Sequence, residues 1–214
     1  MSDGQSRPVG PYPNGSRLDR LSEFVAAQGK GSSVSFPGSR YLPSVGLEIP
    51  CSCHAADTPL RVEGFGLVTL DFKGGIKVRV EGNISAGLGG VRLKVIGHEV
   101  SADSPVFGKV TISQADVDVT PLSLLETIGS NPPVYRQTMF LDFTITVEKP
   151  PAGDGPLVLS NTKTAALVSP RLTNFPPQGD VYQLQEPVDL APVGSPDQVV
   201  AQLQQFPVTV SHNP

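Results

Sequence analysis

Met139-Phe-Leu-Asp-Phe-Thr-Ile-Thr-Val147 puts Met139, Leu141, Phe143, Ile145 and Val147 at every second position, with Asp142, Thr144 and Thr146 among the residues between them. Successive side chains of an extended chain point to opposite faces, so this spacing lines one face with apolar groups and leaves the other polar. It predicts a half-buried β-strand, ended by Pro150-Pro151. Short apolar runs at Leu157–Leu159 and Ala165–Val168 follow and can extend the same sheet.

Upstream, the pattern repeats. Ile76, Val78 and Val80 alternate with Lys77, Arg79 and Glu81; Val91, Leu93 and Val95 alternate with Arg92, Lys94 and Ile96. The two segments resemble each other and read as two arms of one hairpin across the glycine-rich stretch from Gly82 to Gly90. Before them, Val62 to Phe72 alternates at even positions, and Lys73-Gly74-Gly75 carries a turn signal. Further strands are expected at Val106–Ile112 and Asp116–Thr120. Val110 and Ile112 are even, Val117 and Val119 odd, so a bulge near Gln114 would keep both pairs inward.

Helical signals are few and short. Arg17 to Gln28 has Leu18, Leu21 and Val25 on one face, Ser16 as an N-cap and Gly29 as a stop. Thr120-Pro121 opens a helical turn over Leu122–Ile128, and Ser195-Pro196-Asp197-Gln198 has the capping-box form. Phe206–Val210 reads as an edge strand. The fold expected is all-β: an antiparallel β-sandwich, with a barrel as runner-up, carrying short peripheral helices and proline-rich N- and C-terminal arms. In residue terms, 1–15 is a disordered leader, 16–59 an N-terminal arm, 60–169 the β-sandwich domain and 170–214 a C-terminal arm.

Composition agrees with short strands between turns. The 214 residues include 22 glycines and 22 prolines, with 38% hydrophobic and 17% charged residues. Proline at about twice its usual share of ~5% disfavours long helices. A net charge of −4 lacks the basic surface that phosphate contacts need, which argues against nucleic acid as a partner. No apolar run approaches the ~20 residues of a membrane span, and the first residues lack the basic and apolar regions of a secretory signal. A cytoplasmic location is the corresponding expectation.

Two clusters carry potential chemistry. Cys51-Ser-Cys53-His54 offers thiolates and an imidazole, which suit zinc or copper, although the gap is shorter than usual for zinc cysteines and a closed site needs four ligands. The plainer alternative is two small apolar residues in a loop. Lys77, Arg79, Arg92 and Lys94 share the outer face of the hairpin. They form either a basic patch for an anionic ligand or one side of a cross-strand charge ladder completed by Glu63, Asp71, Asp116 and Asp118. Asp116 and Asp118 also share a strand face, a weak pattern for calcium or glycosidase chemistry. His98-Glu99 lacks the second histidine of a zinc-protease helix.

No catalytic signature stands out, so catalysis is less expected than binding or assembly. The leading expectation is a non-enzymatic binding or assembly module that docks on itself or another protein through its arms. The alternatives are a small-ligand protein taking an apolar or anionic molecule, such as a lipid or glycan, and a metal protein using Cys51, Cys53 and His54.

Overall fold

The computed structural model describes residues 42–150 and 155–212. Among these, the regular elements are all strands: β1 Glu48–Val62, β2 Gly66–Ile84, β3 Gly90–Ser104, β4 Gly108–Asp116, β5 Ser123–Ser130, β6 Pro133–Val147, β7 Leu157–Asn161, β8 Ala165–Leu172, β9 Gln178–Leu184, β10 Val188–Pro192, β11 Ala201–Leu203 and β12 Val208–Ser211. All pairings are antiparallel within one large sheet. No helix among the described residues is long and apolar enough to cross a membrane.

The pairings close on themselves twice. Strands β1, β2, β3 and β6 are long; β1, β3 and β6 each use different partners along their two halves, while β2 runs between β1 and β3. Through one half, hydrogen bonds run β1–β2–β3–β4–β6–β7–β10–β11 and back to β1, a ring of eight strands. Through the other half, the circuit runs β1–β2–β3–β5–β6–β8–β9–β12 and again returns to β1. We call these the first and second rings. Closure pairs, among the described residues, strand edges that would otherwise template association.

Where a long strand changes partner, backbone groups lose their ladder bonds and must be satisfied otherwise. Side chains do this at three such junctions. Between β7 and β8, Asn161 Oδ1 accepts from Phe143 N at 2.7 Å while its amide donates to Leu141 O, Asp142 Oδ1 and Lys163 O. Between β4 and β5, Gln114 Nε2 donates to Val95 O at 2.8 Å, and Ser123 Oγ accepts from Phe140 N at 2.9 Å.

Bulges keep the long strands' apolar faces inward across the same zone. In β1 the register shifts between Ala55 and Thr58, with Asp57 at φ 51° and its N–H donated to Asp71 Oδ1. The buried positions change there from odd (Cys53, Ala55) to even (Thr58, Leu60). In β3 the extra residue is Ile96, so Val91, Leu93 and Val95 are buried on one side of it and His98, Val100 and Ala102 on the other.

Strand β6 matches its sequence pattern: every odd residue from Tyr135 to Val147 is buried. The repeated segments pair as expected, with Arg79 opposite Lys94 and Val80 opposite Leu93. The bulge near Gln114 is present, as a register shift between Gln114 and Asp116. The strand expected at Asp116–Thr120 is not; Val117 is exposed, and Asp116 Oδ1 accepts from Asp118 N in a local turn.

Other expectations are corrected. Lys73-Gly74-Gly75 lies inside β2 rather than in a turn. A Cβ on Gly74 would fall 2.0 Å from Glu99 O, so glycine serves close strand approach there. The expected helical turn Leu122–Ile128 is replaced by β5, whose Ser123 and Leu125 are buried in alternation between β3 and β6. The expected helix from Ser195 is two hydrogen-bonded turns followed by β11, because Ala201 and Leu203 find partners on β1 and β10 that a short isolated helix could not match. Irregular chain was expected up to residue 59, yet β1 begins at Glu48. The C-terminal stretch, expected as an arm, supplies β9–β12 and completes both rings. The Arg17–Gln28 helix and the leader 1–15 lie outside the described residues.

Candidate functional site: an apolar mouth

The sequence-selected cations do lie together on the outer face of β2 and β3, and three of the four have carboxylate partners. Lys77 pairs with Glu48, Arg79 with Glu81 at 2.8 Å, and Lys94 with Asp118 at 2.5 Å. Lys77 holds the Glu48 carboxyl below its usual range by a hydrogen bond and by charge, and Lys94 does the same for Asp118. Arg92 forms no ion pair among the described residues. Two of the partners, Glu48 and Glu81, differ from those expected; Asp71 instead accepts the Asp57 N–H.

Cys51, Cys53 and His54 are separated by the pleat of β1. Cys53 is buried and Cys51 half-buried on the inner face, while His54 is exposed on the other. Burial pushes the Cys51 thiol up to about 11 and the Cys53 thiol up to about 12, so both are protonated and weak as nucleophiles or metal ligands at neutral pH. Among the described residues, no three His, Cys, Asp or Glu side chains are placed to hold a metal ion.

The concavity most suited to a ligand lies elsewhere, at the open end of the first ring. There the last inward residues of β1 (Leu60, Val62), β6 (Val147) and β7 (Leu157, Leu159) surround a cavity of about 200 Å³. Phe107, Pro150, Pro192 and Val200 complete a lining in which Glu63 is the sole ionisable residue among the described residues. Alternation explains the arrangement. These are the positions that face inward along each strand, at the point where no further layer among the described residues covers them.

Val62, Glu63 and Val200 also belong to a neighbouring groove of about 570 Å³, bordered by Arg61, Phe65 and Gln202. Phe65 lies in the β1–β2 turn and packs on Phe107, with ring centroids 5.0 Å apart at 54°. Around this end the surface is unusually apolar. Phe65, Leu67, Val106, Val158, Val193 and Val199 are all exposed, Leu67 by 59% and Val193 by 62%. An exposed apolar cluster beside an apolar cavity is the usual mark of a binding surface. Sequence reading missed it, because the lining comes from residues near 60, 107, 150 and 200. The one available signal was the run of turn-flanked apolar residues at strand ends.

A second feature missed in sequence is His98, which is 7% exposed, with Nδ1 buried and unpartnered. Burial drives its pKa down to about 4, so the imidazole is neutral at pH 7. The β3 bulge at Ile96 turns it inward.

No family model matches the chain, and no curated protein matches it. Among solved structures it is similar to DynF from the dynemicin biosynthesis pathway of Micromonospora chersina, with a TM-score of 0.62 and 20% identity over 80% of this chain and 83% of that one. At this identity the likeness concerns the fold.

Proposed function

We propose that the protein binds a small, predominantly apolar molecule at the mouth of the first ring. The observation that carries this reading is the cavity of about 200 Å³ lined almost wholly by apolar side chains and continuous with an exposed apolar rim. Water held against such a lining finds few hydrogen-bond partners, so displacing it by an apolar group is favourable by roughly 25 cal/mol per Å². The wall arrangement that suits this role is a closed barrel, the runner-up of the two sequence-based architectures. It is supported over two facing sheets by each ring's return to β1. DynF, the similar structure, comes from a biosynthesis pathway, which fits a chain that handles a small organic molecule.

Titration with the neutral fluorophore N-phenyl-1-naphthylamine tests the proposal. Saturable fluorescence enhancement at one site per chain is expected, and Val200→Trp, which fills the mouth, should weaken it tenfold or more (about 1.4 kcal/mol). Unchanged binding in that variant, with circular dichroism showing it folded, would overturn the assignment.

The second reading is docking on another copy or another protein, and the exposed Leu67 and Val193 favour it. The apolar patch then acts as an interface rather than as an entry. A strictly monomeric mass in size-exclusion light scattering, from low to high protein concentration, removes self-association. The metal reading gains no support from β1, which points His54 away from both thiols.

A further inference from the structure

On the outer face of the first ring, one row of side chains is polar. Arg61 of β1 stands opposite Gln202 of β11, and Gln202 opposite Asp189 of β10. Their strand neighbours Leu60, Val188, Leu190, Ala201 and Leu203 are buried, so alternation turns all three outward. The row borders the groove of about 570 Å³ beside the mouth, together with Glu63 and Phe65. Groove and cavity share Val62, Glu63 and Val200, so a molecule with two unlike halves can occupy both.

Hydrogen-bonding capacity in this groove is mixed and largely open. Gln202 Nε2 donates to Asp189 Oδ1 at 2.8 Å, which holds two half-buried side chains in place and leaves the second Gln202 N–H, its Oε1 and Asp189 Oδ2 facing the groove. Arg61 and Glu63 are exposed and form no ion pair among the described residues. Phe65 is 45% exposed and leans on Phe107 of the mouth, so its ring offers an apolar surface to the same groove.

We propose, on the reading that the mouth binds an apolar molecule, that its ligand is a glycoside whose apolar aglycone enters the cavity and whose sugar ring lies in this groove against Phe65. Sugar hydroxyls each donate and accept, which suits a lining with donors on Arg61 and Gln202 and acceptors on Glu63 and Asp189. A carboxylate head would gain Arg61 but meet two carboxylates. An ammonium would gain those carboxylates but meet the guanidinium. A pyranose also has an apolar C–H face that covers an exposed aromatic ring, which a short open-chain polyol lacks.

Displacement of N-phenyl-1-naphthylamine by octyl β-D-glucoside, below its micelle concentration, is the test. Competitive displacement is expected, and Arg61→Ala and Gln202→Ala, both on the outer face, should each weaken the glucoside about tenfold. Binding of the naphthylamine, octanoate and 1-octanoylglycerol should change little in either variant. The proposal is overturned if the glucoside fails to displace the bound fluorophore, if both variants hold it as tightly as the native chain, or if octanoate or 1-octanoylglycerol loses as much. In each of those outcomes the fluorophore still binds and the mouth stands; a fluorophore that does not bind removes the mouth and the glycoside together.

Discussion

The first and second rings share β1, β2, β3 and β6, yet the two halves of those strands are lined differently. Inside the first ring, Leu60, Val110, Ile145, Leu159 and Leu190 are all at most 2% exposed, and the ring opens on more apolar surface. Inside the second, Tyr182 is fully buried and donates to Gln137 Oε1 at 2.6 Å, with Ser169 opposite Gln137 and both cysteines on the β1 wall. Burial raises the Tyr182 hydroxyl far above its usual range, so it acts as a fixed donor rather than an acid. Polar groups out of water hold one geometry and penalise others. The second ring is therefore the more specified end, and the first, whose contacts are non-directional, is the end suited to admitting a ligand.

The largest expected effects probe whether the rings fold as one unit. Leu190→Ala in the first and Leu125→Ala in the second should each lose about 2–5 kcal/mol, because each removes a side chain of zero exposure. Since the four long strands run through both rings, either variant should unfold in a single transition by circular dichroism and tyrosine fluorescence. Separate transitions for the two probes would split the molecule into independent halves.

Protonation of His98 sharpens the contrast next. Its pKa is about 4 in the fold against 6.5 for an ordinary histidine, so the unfolded chain binds the extra proton first as pH falls. Stability is then full above about pH 6.5 and declines as pH drops through 4, by about 3 kcal/mol from this residue. His98→Phe should flatten that part of a urea-melt pH profile. An unchanged slope would mean that another group titrates there.

Tyr182→Phe leaves Gln137 Oε1 buried and unpaired, and should destabilise by about 1–3 kcal/mol in chemical denaturation. The smallest effect is expected on the outer face. Lys94→Ala breaks a pair whose Asp118 is mostly exposed and solvent-screened, and should leave the urea midpoint nearly unchanged.

Legibility in the sequence followed locality. β6 and the β2–β3 hairpin could be read because their apolar alternation is long and their partners are adjacent in the chain. β10 and β11 could not, being 5 and 3 residues long and held by β1 and β7 far away in sequence; β12 was legible as a strand within Phe206–Val210, but as an edge rather than between β1 and β9. β5 was obscured because Leu122, Leu124 and Leu125 fit a helical turn as well as a strand, and only the gap between β3 and β6 decides. The outer-face cations were legible as a cluster. Two of their partners were not, since Glu48 lay in a stretch read as irregular and Glu81 was taken only as part of the alternation. His98 was hidden by a one-residue bulge that reverses which face it occupies.

The most direct test of the ligand-binding mouth is a methyl ¹H–¹³C titration with N-phenyl-1-naphthylamine. The account predicts saturable shifts in the methyls of Val62, Val147, Leu157, Leu159 and Val200, with Leu93 and Leu125 of the second ring unmoved. Saturable shifts centred on the second ring, or no saturable shift in the mouth methyls, would contradict it.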